Sequence, residues 1–251
     1  MRSDTNWLGS MKTRKKEERG ALGHTVASRN RFSEYVRERV IPYNVSTPAR
    51  RRVWSNLAAL SDLWNQITEE QRDGWYRLAE RVHSRPRLAQ SGRLDGRLLF
   101  LKLNTVLATC GHPPLIDPPP LPQFNRNPVR GFAISEARRR LRIKLLVPEA
   151  PVEEIMVFAS PPCAPGKRAT TDYAFLGLLP APEAGESDIT ELYLGKLEEW
   201  RQLRDRKYHL PLRRAKVFVR ALQQVNGWKN ELWRFEARAF VPATVLLGKL
   251  G

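Results

Sequence analysis

Arg50, Arg51 and Arg52 set three guanidiniums side by side, and Lys12, Arg14, Lys15 and Lys16 place four cations within five positions. Arg29, Arg31 and Arg37 extend the series. Such groups are suited to one task. A guanidinium fork matches the oxygens of a phosphate, and an ammonium meets them as a point charge. The whole chain shares the bias: its 251 residues carry 43 Lys and Arg against 26 Asp and Glu, a formal charge of +17. Residues 1–112 hold 21 basic and 11 acidic side chains, a net +10, and the remainder hold 22 and 15, a net +7. An excess of this size and sign points to a polyanionic partner, most often nucleic acid.

Residue patterns for covalent or metal chemistry are scarce. His24, His83, His112 and His209 have no ligand-like spacing, and no G-x-S-x-G, H-E-x-x-H or P-loop pattern occurs. Cys110 and His112 would make a nucleophile and base, but they stand where a helix runs into prolines. Cys110 and Cys163 lie far apart and read as two reduced thiols. Glu153-Glu154 and Glu198-Glu199 read as surface pairs, and Asn44-Val45-Ser46 matches a glycosylation acceptor without other signs of secretion. The expectation is a non-enzymatic protein with no cofactor and no metal. Among the seven tryptophans, Trp64, Trp75 and Trp233 read as core, whereas Trp228 beside a hairpin tip reads as a contact residue. No apolar run of about 18 residues and no secretory h-region occur, so an intracellular, soluble chain is expected. Met11 is an alternative start to Met1.

The elements that must position these groups follow from period and punctuation. Residues 1–31 are polar and basic and read as a flexible arm. Residues 32–112 read as helical. Phe32, Tyr35, Val36 and Val40 share one face of a first helix. Thr47-Pro48 is an N-cap followed by a proline at the first helical position, opening a second helix with Val53, Leu57, Leu60, Trp64 and Ile67 on its apolar stripe. Thr68 with Gln71 is a capping box, and Glu69 and Glu70 suit the first turn of a third helix that buries Trp75, Leu78, Ala79 and Val82. A fourth helix starts near Asp95, carries Leu99, Leu103, Val106 and Cys110, and ends at Gly111 before Pro113 and Pro114.

Six prolines between 113 and 122 read as a stiff linker, so residues 113–129 form the domain boundary. Residues 130–251 change to a period of two. Leu141, Ile143 and Leu145 alternate with Arg140, Arg142 and Lys144, followed by candidate strands at 155–159, 173–179 and 188–194. Leu197–Arg206 reads as one short helix. Val217, Val219 and Ala221 lead to Asn226-Gly227, the strongest hairpin signal in the chain, and Trp233, Phe235, Ala237, Ala239 and Val241 return. The class is α+β, ending in an antiparallel sandwich.

The corner at Trp64, Ile67, Thr68, Glu70, Arg72, Trp75 and Ala79 resembles the junction of the second and third helices of an HMG box, with Gly74 at the family's proline position. Ser33-Glu34-Tyr35 is similar to its first helix, and Leu60-Ser61-Asp62-Leu63-Trp64 to the segment before the corner. The resemblance covers residues 27–85. It implies three helices in an L that lie in the DNA minor groove and bend it with an apolar wedge. Here the wedge positions fall on Ser28-Arg29-Asn30-Arg31, which are polar.

Val217 through Asn226-Gly227 resembles the last hairpin of fibronectin type III or Ig-like sandwiches, and the overall order resembles uncharacterised bacterial and prophage-type proteins. Two functions follow as expectations. One is low-specificity DNA binding through Lys12, Arg14, Lys15, Lys16, Arg29, Arg31, Arg37 and Arg50–Arg52, in a cytoplasmic, nucleoid-associated protein. The other is a structural subunit of a phage or virion-like particle, with arm and sandwich against neighbouring subunits.

Overall fold

The computed structural model describes residues 20–22, 24–29, 34–39, 48–82, 94–137, 140–202, 214–232 and 234–242. The chain divides within the first turns of α1 (Pro48–Gln66) into two compact units, residues 1–51 and 52–251.

The first unit holds a three-stranded antiparallel meander, β1 (Gly20–Leu22), β2 (Thr25–Arg29) and β3 (Glu34–Glu38), in the order β1-β2-β3. This corrects two expectations. Part of the presumed arm is sheet, and the presumed first helix is a strand across residues 34–38. Tyr35 and Val36 satisfy a helical spacing with Phe32 and Val40, but β-branched and aromatic residues also favour strands, and five residues cannot separate the two periods. Pairing with β2 decides it: Val36 sits opposite Ala27, and Arg29 opposite Glu34.

The second unit begins with three helices. α2 (Glu69–Glu80) starts on the expected capping box: Gln71 N donates to Thr68 Oγ1 at 3.3 Å, and Thr68 N donates to Gln71 Oε1 at 3.0 Å. α3 (Gly96–Cys110) ends at Gly111, whose φ of 83° is the left-handed C-cap conformation. Leu60, Trp64, Ile67, Trp75, Leu78, Ala79, Leu99, Phe100 and Leu103 form the helical core. The corner between Trp64 and Trp75 closes through a residue of α3 that the sequence reading did not single out. Phe100 lies 5.2 Å from both Trp64 and Trp75, ring centre to ring centre.

The proline-rich segment does not stand clear as a spacer. Trp75 Nε1 donates to Ile116 O at 2.7 Å, Gln71 Nε2 to Asp117 Oδ1 at 2.9 Å, and Asn104 exchanges two bonds with the Leu115 backbone. Trp75 and Asn104 thus use the backbone carbonyls of Ile116 and Leu115, and Gln71 uses the Asp117 carboxylate. Gly74, where the resembled family has proline, lets the strap pass closely: a Cβ there would lie 2.9 Å from Pro118 Cγ.

The remaining elements are β4 (Gly131–Ala137), β5 (Arg140–Leu146), β6 (Glu154–Ala159), β7 (Ala174–Leu178), β8 (Glu186–Asp188), α4 (Thr190–Arg201), β9 (Lys216–Val225), β10 (Trp228–Lys229) and β11 (Phe235–Phe240). One antiparallel sheet runs β4-β5-β8. The other runs β10-β9-β6-β7, with β11 also paired to β9. Leu141, Ile143 and Leu145 of β5 face one shared core with Ile155, Val157 and Ala159 of β6, and with Val217, Val219 and Ala221 of β9. The α+β class read from the sequence is therefore the one observed.

Residues 190–194 belong to α4 and not to a strand. Asp188 accepts the N–H of Thr190 at 2.8 Å, and Ile189, Tyr193, Leu197 and Trp200 then recur at helical spacing on the core side.

The Asn226-Gly227 turn is present, with φ of 50° and 81°. Its tip abuts α3: a Cβ on Gly227 would overlap the Leu103 carbonyl. Replacing Gly227 with Ala therefore adds a clash to left-handed strain and should cost about 2 kcal/mol or more in urea unfolding, whereas Asn226→Gly should cost less than about 1 kcal/mol. Equal effects of the two would show that the tip is not seated on α3.

Candidate nucleic-acid interface

The predicted contact residues separate into three groups. Lys12, Arg14, Lys15, Lys16 and Arg31 lie outside the described residues. In the meander, Arg37 is exposed and sits opposite Val26, whereas Arg29 takes the position opposite Glu34. Arg50, Arg51 and Arg52 are exposed in the first turns of α1.

α1 is an unusual place for three cations. Its first turn has no acidic residue, and Asp62 is its single carboxylate. The dipole of a helix favours anions at its N-terminus, as Glu69 and Glu70 illustrate on α2. Guanidiniums there are opposed by about 0.3–1 kcal/mol each, a cost that an external anion relieves. Successive residues turn by about 100°, so the triplet fans over roughly 200° of the helix. The three do not share one face. They can, however, reach in two directions from a helix lying between two strands of phosphate.

The helix around them is exposed as well. Val53, Trp54 and Leu57 are 52%, 48% and 37% exposed, and burial begins only at Leu60. This corrects the expectation that Val53 and Leu57 continue the buried stripe. The spacing is helical, but the core of the second unit reaches only the C-terminal half of α1. Trp54 is the exposed tryptophan that the sequence reading passed over, because it lies off the stripe defined by Leu60 and Trp64. Trp228, read as a contact residue, instead packs on the helical core, and Trp233 lies outside the described residues.

Several other cations are locally committed. Arg72 closes the C-terminus of α1, donating Nε to Trp64 O at 3.3 Å and Nη2 to Asn65 O at 2.8 Å. Arg142 pairs with Asp188, Lys144 with Glu186, Lys196 with Glu199, and both Arg220 and Arg234 with Glu236. Exposed pairs of this kind contribute little stability, but they cancel charge at short range.

The Cys110 and His112 pair resolves differently from a nucleophile and base. His112 Nε2 lies 2.8 Å from Glu154 Oε2, and Gln224 Nε2 donates to the same carboxylate oxygen. Glu153 accepts from Asn125 and Gln223. The two glutamates read as surface pairs are in fact hubs joining the proline-rich segment, the end of α3 and the β9 hairpin. Burial, and next the charge of Glu154, push the Cys110 thiol from 9.0 up to about 11, with Lys229 opposing. A thiol held so high is protonated at neutral pH and is a poor nucleophile.

Among the described residues no three His, Cys, Asp or Glu are placed to hold a metal, and no helix is long and apolar enough to cross a membrane. No family model, curated protein or solved structure matches the chain at a significant level.

Alkylation of Cys110 by iodoacetamide should be slow at pH 8 and accelerate steadily towards pH 11. Because the folded pKa is the raised one, this group's stabilising contribution is complete below pH 9 and fades between 9 and 11. A rate plateau reached near pH 8 would contradict the half-buried environment.

Proposed function

We propose that the chain is a non-enzymatic protein that binds DNA with low sequence specificity. The contacts would come from the basic residues 12–16, the meander arginines and Arg50–Arg52. The observation that carries this reading is the exposed triplet at the acid-free start of α1. Binding of this kind is driven by release of counterions from the phosphate backbone, so it needs exposed cations more than shaped contacts to bases. An apolar wedge that kinks the duplex is not part of the reading, because residues 28–31 are polar.

In a mobility-shift titration of the full chain against a mixed-sequence duplex, affinity should fall steeply from 50 to 200 mM salt. Changing Arg50, Arg51 and Arg52 together to Gln should reduce the slope of log K against log salt by about 2–3. Salt-independent binding, or none at 50 mM, would end the proposal.

A second reading, a structural subunit of a phage or virion-like assembly, is supported by a separate observation. Val53, Trp54 and Leu57 form an exposed apolar patch on α1 of the kind that subunit interfaces cover. Light scattering on nucleic-acid-free protein should then reveal oligomers that Val53→Asp with Leu57→Asp disperses. A monomer at all concentrations would remove this reading.

A further inference from the structure

A cleft on the β-rich part is not used by either reading. In β9, Val217, Val219 and Ala221 face the core, so Lys216, Phe218 and Arg220 face the other side of the sheet. Across the register from them stand Phe240, Arg238 and Glu236 of β11. The loop before β7 rises beside this face and borders an open cleft of about 240 Å³. Its lining includes Arg168, Thr170, Tyr173, Phe218, Glu236 and Arg238.

The chemistry of the lining is specific. Phe218 is almost fully buried, and the Tyr173 ring is braced by Arg220, whose guanidinium carbon lies 4.2 Å from the ring centre. The one carboxylate, Glu236, is held by Arg220 at 2.6 Å and Arg234 at 3.0 Å, so its charge is cancelled where it stands. Arg238 donates Nη1 to Arg168 O at 2.6 Å, which ties the loop to β11 and commits only one of its N–H donors. The Arg168 guanidinium has no hydrogen-bond or ion-pair partner among the described residues. Burial, then Glu236, raises the Tyr173 phenol above its ordinary value, so it stays neutral and does not repel an anion. The lining therefore combines an apolar side with two guanidiniums in excess of carboxylate.

Pockets for drug-sized ligands run from about 300 to 1,000 Å³, so this one suits a single ring. We propose that the cleft binds a small organic oxyanion, a carboxylate or a phosphate monoester on a single-ring apolar body. Arg168 and Arg238 meet the oxyanion, and Phe218 and Tyr173 meet the ring. This does not depend on DNA binding, since none of these residues belongs to the proposed nucleic-acid contacts.

Isothermal titration of the full chain with benzoate, phenyl phosphate and inorganic phosphate tests it. Saturable one-to-one binding of at least one ring-bearing anion is expected, with inorganic phosphate at least about tenfold weaker. The preferred ring-bearing probe identifies the oxyanion. Arg168→Gln, at an exposed position, should weaken that probe about tenfold or more while leaving the thermal melt unchanged. Arg238→Lys keeps the charge, loses the fork, and should also weaken it. The inference is overturned by no saturable binding at millimolar probe, by equal affinity for inorganic phosphate, or by an unchanged affinity in Arg168→Gln. Displacement of the probe by a duplex oligonucleotide would overturn it too, by assigning the cleft to a nucleic-acid surface. Arg50–Arg52 variants should leave probe binding intact.

Discussion

The tip of the β9–β10 hairpin can rest against the backbone of α3 only because residue 227 has no side chain and accepts a positive φ. That approach carries Trp228 onto the helical core. It also sets Gln223 and Gln224 beside Glu153 and Glu154, where His112 from the end of α3 and Asn125 from the proline-rich segment converge. The buried part of such a polar network is worth having only when its members are satisfied. Here Gln223, fully buried, donates to Glu153 and accepts from Asn230, and Gln224 accepts from Gly227 N. Trp228 Nε1 is the exception, a buried donor without a partner among the described residues. Its desolvation, about 1–3 kcal/mol, is offset by the apolar area its ring covers.

Helices and sheets are therefore one body from residue 52 onward, and the prolines serve a different end from spacing. A run of prolines has fixed φ and few N–H groups, so its carbonyls are open acceptors along a stiff track. Trp75 and Asn104 bond that track from the helices, Gln71 bonds the Asp117 carboxylate on it, and Asn127 Nδ2 bonds Ala221 O from its far end. Composition alone makes such a segment read as a linker. Its role depends on polar side chains some 10 to 40 residues away, which no local pattern reveals.

Features governed by local chemistry were legible in the sequence. The Thr68–Gln71 capping box, the Gly111 C-cap, the Asn226-Gly227 turn and the alternation of β5 and β11 each depend on residues within one turn or one strand. Features that depend on where the core ends were not. Val53 and Leu57 have the right spacing for burial, yet nothing in the spacing says that the core stops at Leu60. Residues 34–38 are too few to separate a period of 3.6 from one of 2, and the partner strand that decides is another segment of the chain. Ile189, Tyr193, Leu197 and Trp200 did carry a helical stripe, which an alternating pattern over 188–194 obscured. Of the candidate sites, the arginine triplet was visible as a run. The cleft was not, because Arg168 and Arg238 are seventy residues apart and meet through a loop bonded to a strand.

The net charge of +17 is not spread as a uniform film. On β5, β8, β9, β11 and α4, each carboxylate named above stands within bonding distance of one or two cations, so the charges of those pairs cancel close to their source. Among the described residues, guanidiniums outnumber carboxylates at the start of α1 and at the cleft, two settings of opposite shape. At the start of α1 they fan outward from an exposed helix, which suits an extended anion whose charges lie on more than one side. At the cleft they converge beside Phe218 and Tyr173, which suits an anion small enough to be partly enclosed. Screening works differently in each. Solvent and salt reach the fan from every direction, so its attraction decays within about 10 Å at 0.1 M salt, whereas the apolar side of the cleft excludes part of that solvent and preserves the attraction at contact. Ionic strength should consequently act strongly on whatever α1 holds and more weakly on whatever the cleft holds, because the two excesses differ in exposure before they differ in charge.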